Sequence, residues 1–326
     1  MNGRTLPPAV SGLRPYAFAF GPLAAAVLWG GMFVVSKWSF ALVPPVTLGF
    51  FRVALGAGAL WLWLGVAERG STADRPSRGD WPALVGLGGW VTVTIVAQFL
   101  GTELTTASQG SLLTVLTPIF VVVLGAALLG ERVTKTKATG IGLAAAGTAV
   151  VVAGQYDLGR ISGGNAAGVA LLVVASLAWA GYTVWGVAVV RRYSALTAAT
   201  YSTVAATPML AVLAVAELWY LGRPITTIPL SWPSLLAIAY LGFASTAAAW
   251  YLWYKGLEYV SAGTVAVFYF LQPVVGTALA AAFLGEAVGP EFVVGSLLIG
   301  VSVWLVSRER APDTDSNHQQ PAGEKL

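Results

Sequence analysis

The chain has 326 residues, 57% of them hydrophobic and 10% charged, with a mean hydropathy of +0.76. A soluble domain carries about 25% charged residues, so this composition cannot cover itself with a wetted surface. There are no cysteines, which excludes disulfides, zinc–thiolate clusters and thiol nucleophiles; the single histidine, His318, lies in a polar tail, so no metal and no cofactor is expected. The net charge of +4 does not point to nucleic acid, because the basic residues punctuate the ends of apolar runs instead of clustering.

Residues 1–17 read as a short polar tail with Arg4, Arg14 and three prolines, and with no small-residue cleavage site. The first apolar run is therefore expected to be a retained helix. Continuous apolar runs predict membrane-spanning helices over about 18–38, 46–66, 82–101, 109–130, 137–154, 166–190, 195–219, 232–254, 262–284 and 290–307. Barrel strands would alternate apolar and polar residues, and these runs do not. The tail 308–326 is polar, carries Pro312 and Pro321, and reads as disordered.

Positive charge tests this count. With the N-terminus in the cytoplasm, ten spans place Arg69, Arg75, Arg78, Arg132, Lys135, Lys137, Arg191, Arg192, Lys255, Arg308, Arg310 and Lys325 inside, with Arg4 and Arg14. Only Arg160 and Arg223 fall in outside loops, so both termini are expected in the cytoplasm of a multi-pass cell-membrane protein.

The chain also repeats itself. Gly130-Glu131 recurs as Gly285-Glu286, and at the same offset Gly101, Glu103, Pro118 and Gly140 match Gly256, Glu258, Pro273 and Gly295. About 15 of roughly 52 positions aligned without a gap are identical. Upstream, Trp81-Pro82 echoes Trp232-Pro233, and Trp29 and Thr47 echo Trp179 and Thr197. Five helices per half is an odd number, so the second half enters the membrane the other way up. The fold class expected is all-α integral membrane, with ten transmembrane helices as two inverted five-helix repeats, 18–154 and 166–307. Such repeats mark secondary transporters, although an inverted duplication can also build a channel.

These residues carry a resemblance. Trp29-Gly30, Lys37, Phe51-Arg52, Ala107-Ser108, Thr117-Pro118, Leu129-Gly130-Glu131-Arg132, Gly140 and Gly147 stand in the first half. Ser261-Ala262, Gln272-Pro273, Leu284-Gly285-Glu286 and Gly295 repeat the block in the second. In order, spacing and duplication the sequence resembles the EamA family of the drug/metabolite transporter superfamily, from about residue 20 to 307. The resemblance implies a central cavity and, often, export of amino acids or other metabolites, without fixing one substrate. At the basic positions the halves differ: Lys37 aligns with Val187 and Arg52 with Ser202, so a cationic site would be one-sided.

Polar and aromatic side chains near mid-span are the cavity candidates, since a solute pocket needs apolar walls with a few placed polar groups. They are Trp29, Gln98, Gln109, Thr114, Thr117, Trp179, Tyr182, Trp250, Tyr269 and Gln272. Trp250, Tyr251, Trp253 and Tyr254 lie near a helix end, where an interfacial aromatic belt is the expected role. Lys37 and Arg52 are expected in the outer third of their helices, either drawing a substrate anion or anchoring at the interface beside Glu103 or Glu217. Pro118 and Pro273 are expected as a symmetric pair of mid-span kinks or hinges. Glu131 and Glu286 are expected to cap nearby backbone N–H groups.

No phosphate-binding loop for ATP hydrolysis is present, and no cluster of acids or histidine suits a membrane enzyme on a lipid-linked substrate. No charged ring or filter loop suggests a selective channel. The partners expected are a small-molecule substrate and the lipid bilayer, with the unit a monomer or a homodimer.

Overall fold

The computed structural model describes residues 17–67, 76–105, 110, 113–155, 166–229, 231–284 and 289–308. Among them there are helices and no strands. In chain order, α1 is Ala17–Gly30, continued past a break at Gly31 by Met32–Ser39; α2 is Pro45–Ala67; α3 is Trp81–Leu104; α4 is Leu116–Leu129; α5 is Lys135–Gln155. Then α6 is Ala166–Arg192, α7 is Ala195–Tyr220, and α8 runs from Trp232 to Leu257. α9 runs from Ala262 through a 3₁₀ stretch, Val267–Phe270, into Leu271–Leu284, and α10 is Pro290–Ser307.

Among the described residues seven segments are long and apolar enough to cross a membrane: Phe18–Ser39, Pro45–Ala67, Arg78–Leu104, Ala166–Arg192, Ala195–Tyr220, Trp232–Leu257 and Pro290–Ser307. Leu116–Leu129 and Ala262–Gly276 are shorter apolar helices. With no water in a hydrocarbon core, a helix satisfies its own backbone, and this is why such apolar runs fold as helices. The outward faces are apolar too: Leu62, Val212, Val215 and Leu297 are exposed.

The ends of the helices are set locally. Pro45, Pro82, Pro233 and Pro290 stand in first turns, where a missing N–H costs nothing. Ser194 and Ser261 cap α7 and α9 by accepting from the Thr197 and Thr264 N–H groups. Gly130 ends α4 in the left-handed conformation (φ 65°), which glycine adopts without strain.

Carboxylates then tie helix starts to distant helices. Glu217 accepts from the Val46 and Thr47 N–H groups (2.9 and 2.7 Å) and from the Thr47 hydroxyl (2.8 Å) at the start of α2. Glu131 accepts from the Ala262 and Gly263 N–H groups (2.8 and 3.2 Å) at the start of α9. Its capping partner is thus in the other half of the chain, not in the next turn as expected from sequence; Glu286 lies outside the described residues. Glu258 accepts from the Ala195 N–H (2.8 Å) at the start of α7 and pairs with Lys255. An N-terminal helix dipole favours each of these charges.

Ahead of α3, Asp80 accepts from the Ser77 N–H, from Tyr193 and from Arg192 (2.6 Å), joining the start of α3 to the end of α6. The bond to Asp80 pushes the Tyr193 pKa up.

Small residues set the closest helix crossings. A Cβ on Gly147 would stand 2.7 Å from the Gly295 carbonyl oxygen, so α5 and α10 meet backbone to backbone. One turn pair away the Ser302 hydroxyl donates to the Gly140 carbonyl (2.6 Å). α3 packs on α6, α1 on α8, and α2 on α7.

The paired prolines do not make the mid-span kinks that were one of the two expectations for them. Pro118 falls in the first turn of α4, after a turn in which the Thr117 N–H donates to the Thr114 carbonyl (2.9 Å). Pro273 falls in the first turn of the α-helical part of α9, just after its 3₁₀ stretch. Each stands at a helix restart and not inside a continuous helix, so neither forces a kink by itself.

Candidate substrate cavity

Four tryptophans and three tyrosines form a buried cluster. Trp29 of α1 meets Trp179 of α6 edge to face at 5.3 Å, Trp253 of α8 at 5.4 Å and Tyr269 of α9 at 5.6 Å. Trp179 continues to Trp250 at 5.2 Å and Tyr182 at 4.9 Å, and Tyr182 stacks on Tyr254 at 4.7 Å. These edge-to-face and offset arrangements suit the quadrupoles of the rings. Trp250, Trp253 and Tyr254 are buried, which corrects their expected place in an interfacial belt; only Tyr251 of that run is partly exposed. The physical reason is their company: Tyr254 donates to the Tyr182 carbonyl (3.0 Å) and Trp253 to the Thr183 hydroxyl (3.1 Å), partners a lipid headgroup would otherwise supply.

Beside this cluster lies a narrow cavity. Trp29, Met32, Arg52, Thr94, Ile95, Gln98, Thr114, Thr117, Ala175, Ser176, Trp179, Trp250 and Tyr269 line it. Its walls come from α1, α2, α3, α6, α8 and α9, together with the residues that open α4. The space among the side chains would hold roughly one water molecule, so the cavity is occluded.

Arg52 forms its cationic wall. The residue is 1% exposed, deep in the bundle, whereas the sequence reading put it in the outer third of its helix, drawing a substrate anion or anchoring at the interface; its burial removes the interface anchor. What holds it inside is α8. Between Tyr240 and Ala248 that helix widens to π geometry, and such stretches release backbone groups from regular pairing. The Ser245 carbonyl accepts from Arg52 Nη2 (3.1 Å) and from Trp29 Nε1 (2.9 Å). Arg52 Nε donates to the Thr246 hydroxyl (2.7 Å), which in turn donates to the Leu241 carbonyl (2.8 Å). The guanidinium also stands over the rings of Phe99 and Trp250, at 5.6 and 5.8 Å. Arg52 Nη1 has no partner.

The other candidates fall into four groups. Gln98, Thr117, Trp250 and Tyr269 line the cavity with Trp29 and Trp179. Tyr182 and Gln272 are buried outside its lining, Tyr182 facing the Ser202 hydroxyl at 3.1 Å. Lys37 is not part of it: its ammonium donates to the Thr102 and Glu103 carbonyls (3.1 and 2.7 Å) and lies 3.5 Å from the Glu103 carboxylate. Gln109 lies outside the described residues. The sequence reading missed Met32, Thr94, Ser176 and the Ser245 carbonyl. Thr94 was detectable, one helical turn before Gln98; the π stretch of α8 leaves no such signal. Among the described residues no group of three or more His, Asp or Glu side chains comes together that could hold a metal ion.

A helical bundle with an apolar exterior around a buried, polar-edged cavity is the architecture of an integral membrane protein. The EamA-like transporter family model matches residues 17–153 and again 166–308, and the chain belongs to that family. It is 27% identical over 288 residues to an "uncharacterized transporter" of Archaeoglobus fulgidus, covering 87% of this chain and 95% of that protein. It is 26% identical to a "probable amino-acid metabolite efflux pump" of Salmonella typhimurium, over 88% of this chain and 93% of that one. A "probable terminal-alkyne amino-acid exporter" of Streptantibioticus cattleyicolor is 25% identical, with 86% and 93% covered. A solved crystal structure superposes with a TM-score of 0.70 at 22% identity, covering 89% of this chain and 95% of that one, which is a likeness of fold. The protein is therefore a multi-pass membrane protein of a transporter family.

Proposed function

We propose that this protein is a secondary transporter that exports small organic solutes, amino acids or related metabolites, across the cell membrane by alternating access around the central cavity. The observation that carries the reading is the cavity itself: α1, α2 and α3 line it from the first matched segment, and α6, α8 and α9 from the second. A site shared between two halves is exposed to either side when one half rocks against the other.

The reading includes ten spans in two inverted repeats, with both termini in the cytoplasm. The packing supports it. α3 on α6 has its counterpart in α8 on α1, α4 on α6 in α9 on α1, and α2 on α8 in α7 on α3. At residue level the Gly140–Ser302 contact maps onto the Gly295–Gly147 contact at the sequence offset of 155. In this reading the helix restarts at Pro118 and Pro273 are the hinges, since broken helices absorb backbone rotation at little cost.

Counterflow in proteoliposomes tests the proposal. Vesicles loaded with unlabelled amino acids should accumulate labelled members of a mixed amino-acid and nucleoside pool transiently and saturably. Equilibration without transient accumulation would make the protein a passive channel, the second reading. No uptake of any member would remove this solute class.

A further inference from the structure

We propose that Arg52 is the anchor for one carboxylate group of the solute, so that the cavity takes organic monoanions and zwitterions and refuses their amides and amines. Only the word solute rests on the transport reading; the binding does not.

The charge balance comes first. Arg52 is buried, and among the described residues no Asp or Glu forms an ion pair with it. Its Nε and Nη2 are served by neutral oxygens of Ser245 and Thr246, and two aromatic rings accept its faces. Dipoles and rings hold a cation without cancelling it. One unit of positive charge therefore remains beside an occluded space, and buried charge is tolerated when it is paired.

The open atoms agree in sign. Arg52 Nη1, Trp179 Nε1 and the Thr94 and Thr117 hydroxyls all lack partners and all belong to residues lining this cavity. Guanidinium and indole nitrogens only donate, and a hydroxyl can do so. Four such groups around one space ask for an acceptor, and an anion makes the stronger bonds. The repeat counterparts of Trp179 and Arg52 are not open in this way. The equivalent of Trp179 in the first half is Trp29, whose indole is already bonded to Ser245. The equivalent of Arg52 in the second half is Ser202, which pairs with Tyr182.

The count of charges selects the anion. A phosphate monoester carries about −1.5 to −2 and would be left under-neutralised by a single guanidinium. A carboxylate carries one charge and two planar oxygens, which match Nη1 and a second donor. When the cavity widens to admit a solute, the rings of Trp29, Trp250 and Tyr269 would receive the rest of the molecule, an apolar body or an ammonium group.

The cavity tryptophans supply the assay. The full chain, purified in detergent, would be titrated by intrinsic fluorescence with L-leucine, L-methionine and 4-methylpentanoate, and with leucinamide, methioninamide and isoamylamine. The three acids should bind saturably and the amides and amine at least about tenfold more weakly. R52Q should erase that preference. R52K, which keeps the charge but loses the planar donor set, should retain part of it. Equal affinity for acids and amides, no response to any acid, or an unchanged preference in R52Q would each overturn the assignment. Should R52Q not fold, the wild-type selectivity and R52K decide the matter. A preference for acids alongside failed counterflow would leave the site standing and remove the transport reading; counterflow that accepts amides as well as acids would do the reverse.

Discussion

At the residue scale the cavity depends on polar atoms placed among large rings, and the two tryptophans at equivalent positions are not equivalent in bonding. Trp29 donates to the Ser245 carbonyl, whereas the Trp179 indole is open. Replacing either with phenylalanine removes similar ring area, so the difference between them isolates the hydrogen bond. W29F should be less stable than W179F by about 0.5–1.5 kcal/mol, read as the lower midpoint of the two in thermal or denaturant unfolding in detergent. Equal losses would mean that the Trp29 bond contributes nothing net. Trp29, Trp179 and Tyr269 were legible in the sequence because a large aromatic at mid-span has few uses other than packing or contact. The depth of Arg52 was not legible. Seven positions after Pro45 it reads as an end-of-helix cation, and what draws it inward is a π stretch 193 residues away in sequence. The burial of Trp250, Trp253 and Tyr254 was hidden for the same reason: a helix pattern gives the face of a ring but not the neighbour it meets.

At the element scale the bundle is tied by carboxylates that cap helices far away in sequence, and by glycine crossings. Glu131 alone serves two N–H groups at the start of α9. E131A should cost about 0.5–2 kcal/mol, the usual value of a lost cap. Its mark should be local: faster hydrogen exchange at Ala262 and Gly263, with α2, which Glu217 caps, unchanged. Uniform loss of protection would assign Glu131 to global stability instead. At the α5–α10 crossing a side chain on Gly147 would meet the Gly295 backbone. G147L should therefore destabilise by about 1–3 kcal/mol, the cost of overpacking, and G142L on the open side of the same helix should not; nothing lies within 4 Å of a Cβ at Gly142. The repeated glycines and glutamates were visible as a pattern, and helix ends at Pro, Ser and Gly were readable from local chemistry. The partners of the glutamates were not, because a cap across the bundle depends on topology and not on spacing.

At the scale of the whole molecule, the inverted-repeat account assigns each loop a side of the membrane. The chain has no cysteine, so single cysteines can be introduced without background. Y259C, in the turn between α8 and α9, should be labelled from the cytoplasmic side, and T227C, after α7, from the outside. Labelling of both from one side would break the ten-span reading. The apolar runs made a multi-pass helical membrane protein readable, since hydrophobic length acts helix by helix; the positive charges and the duplication are what the proposed ten spans rest on. The tightness of the cavity was not readable, because it is set by how helices distant in sequence meet.

The most direct test of the central claim is the accessibility of Gln98, buried in the cavity wall, to both sides. In sealed vesicles Q98C would be treated with a membrane-impermeant thiol reagent, from the inside in one experiment and from the outside in another. A carrier predicts slow modification from each side, slowed further when solute holds the cavity closed. Rapid modification from both sides would describe an open channel, and reaction from one side alone, under every condition, would contradict alternating access.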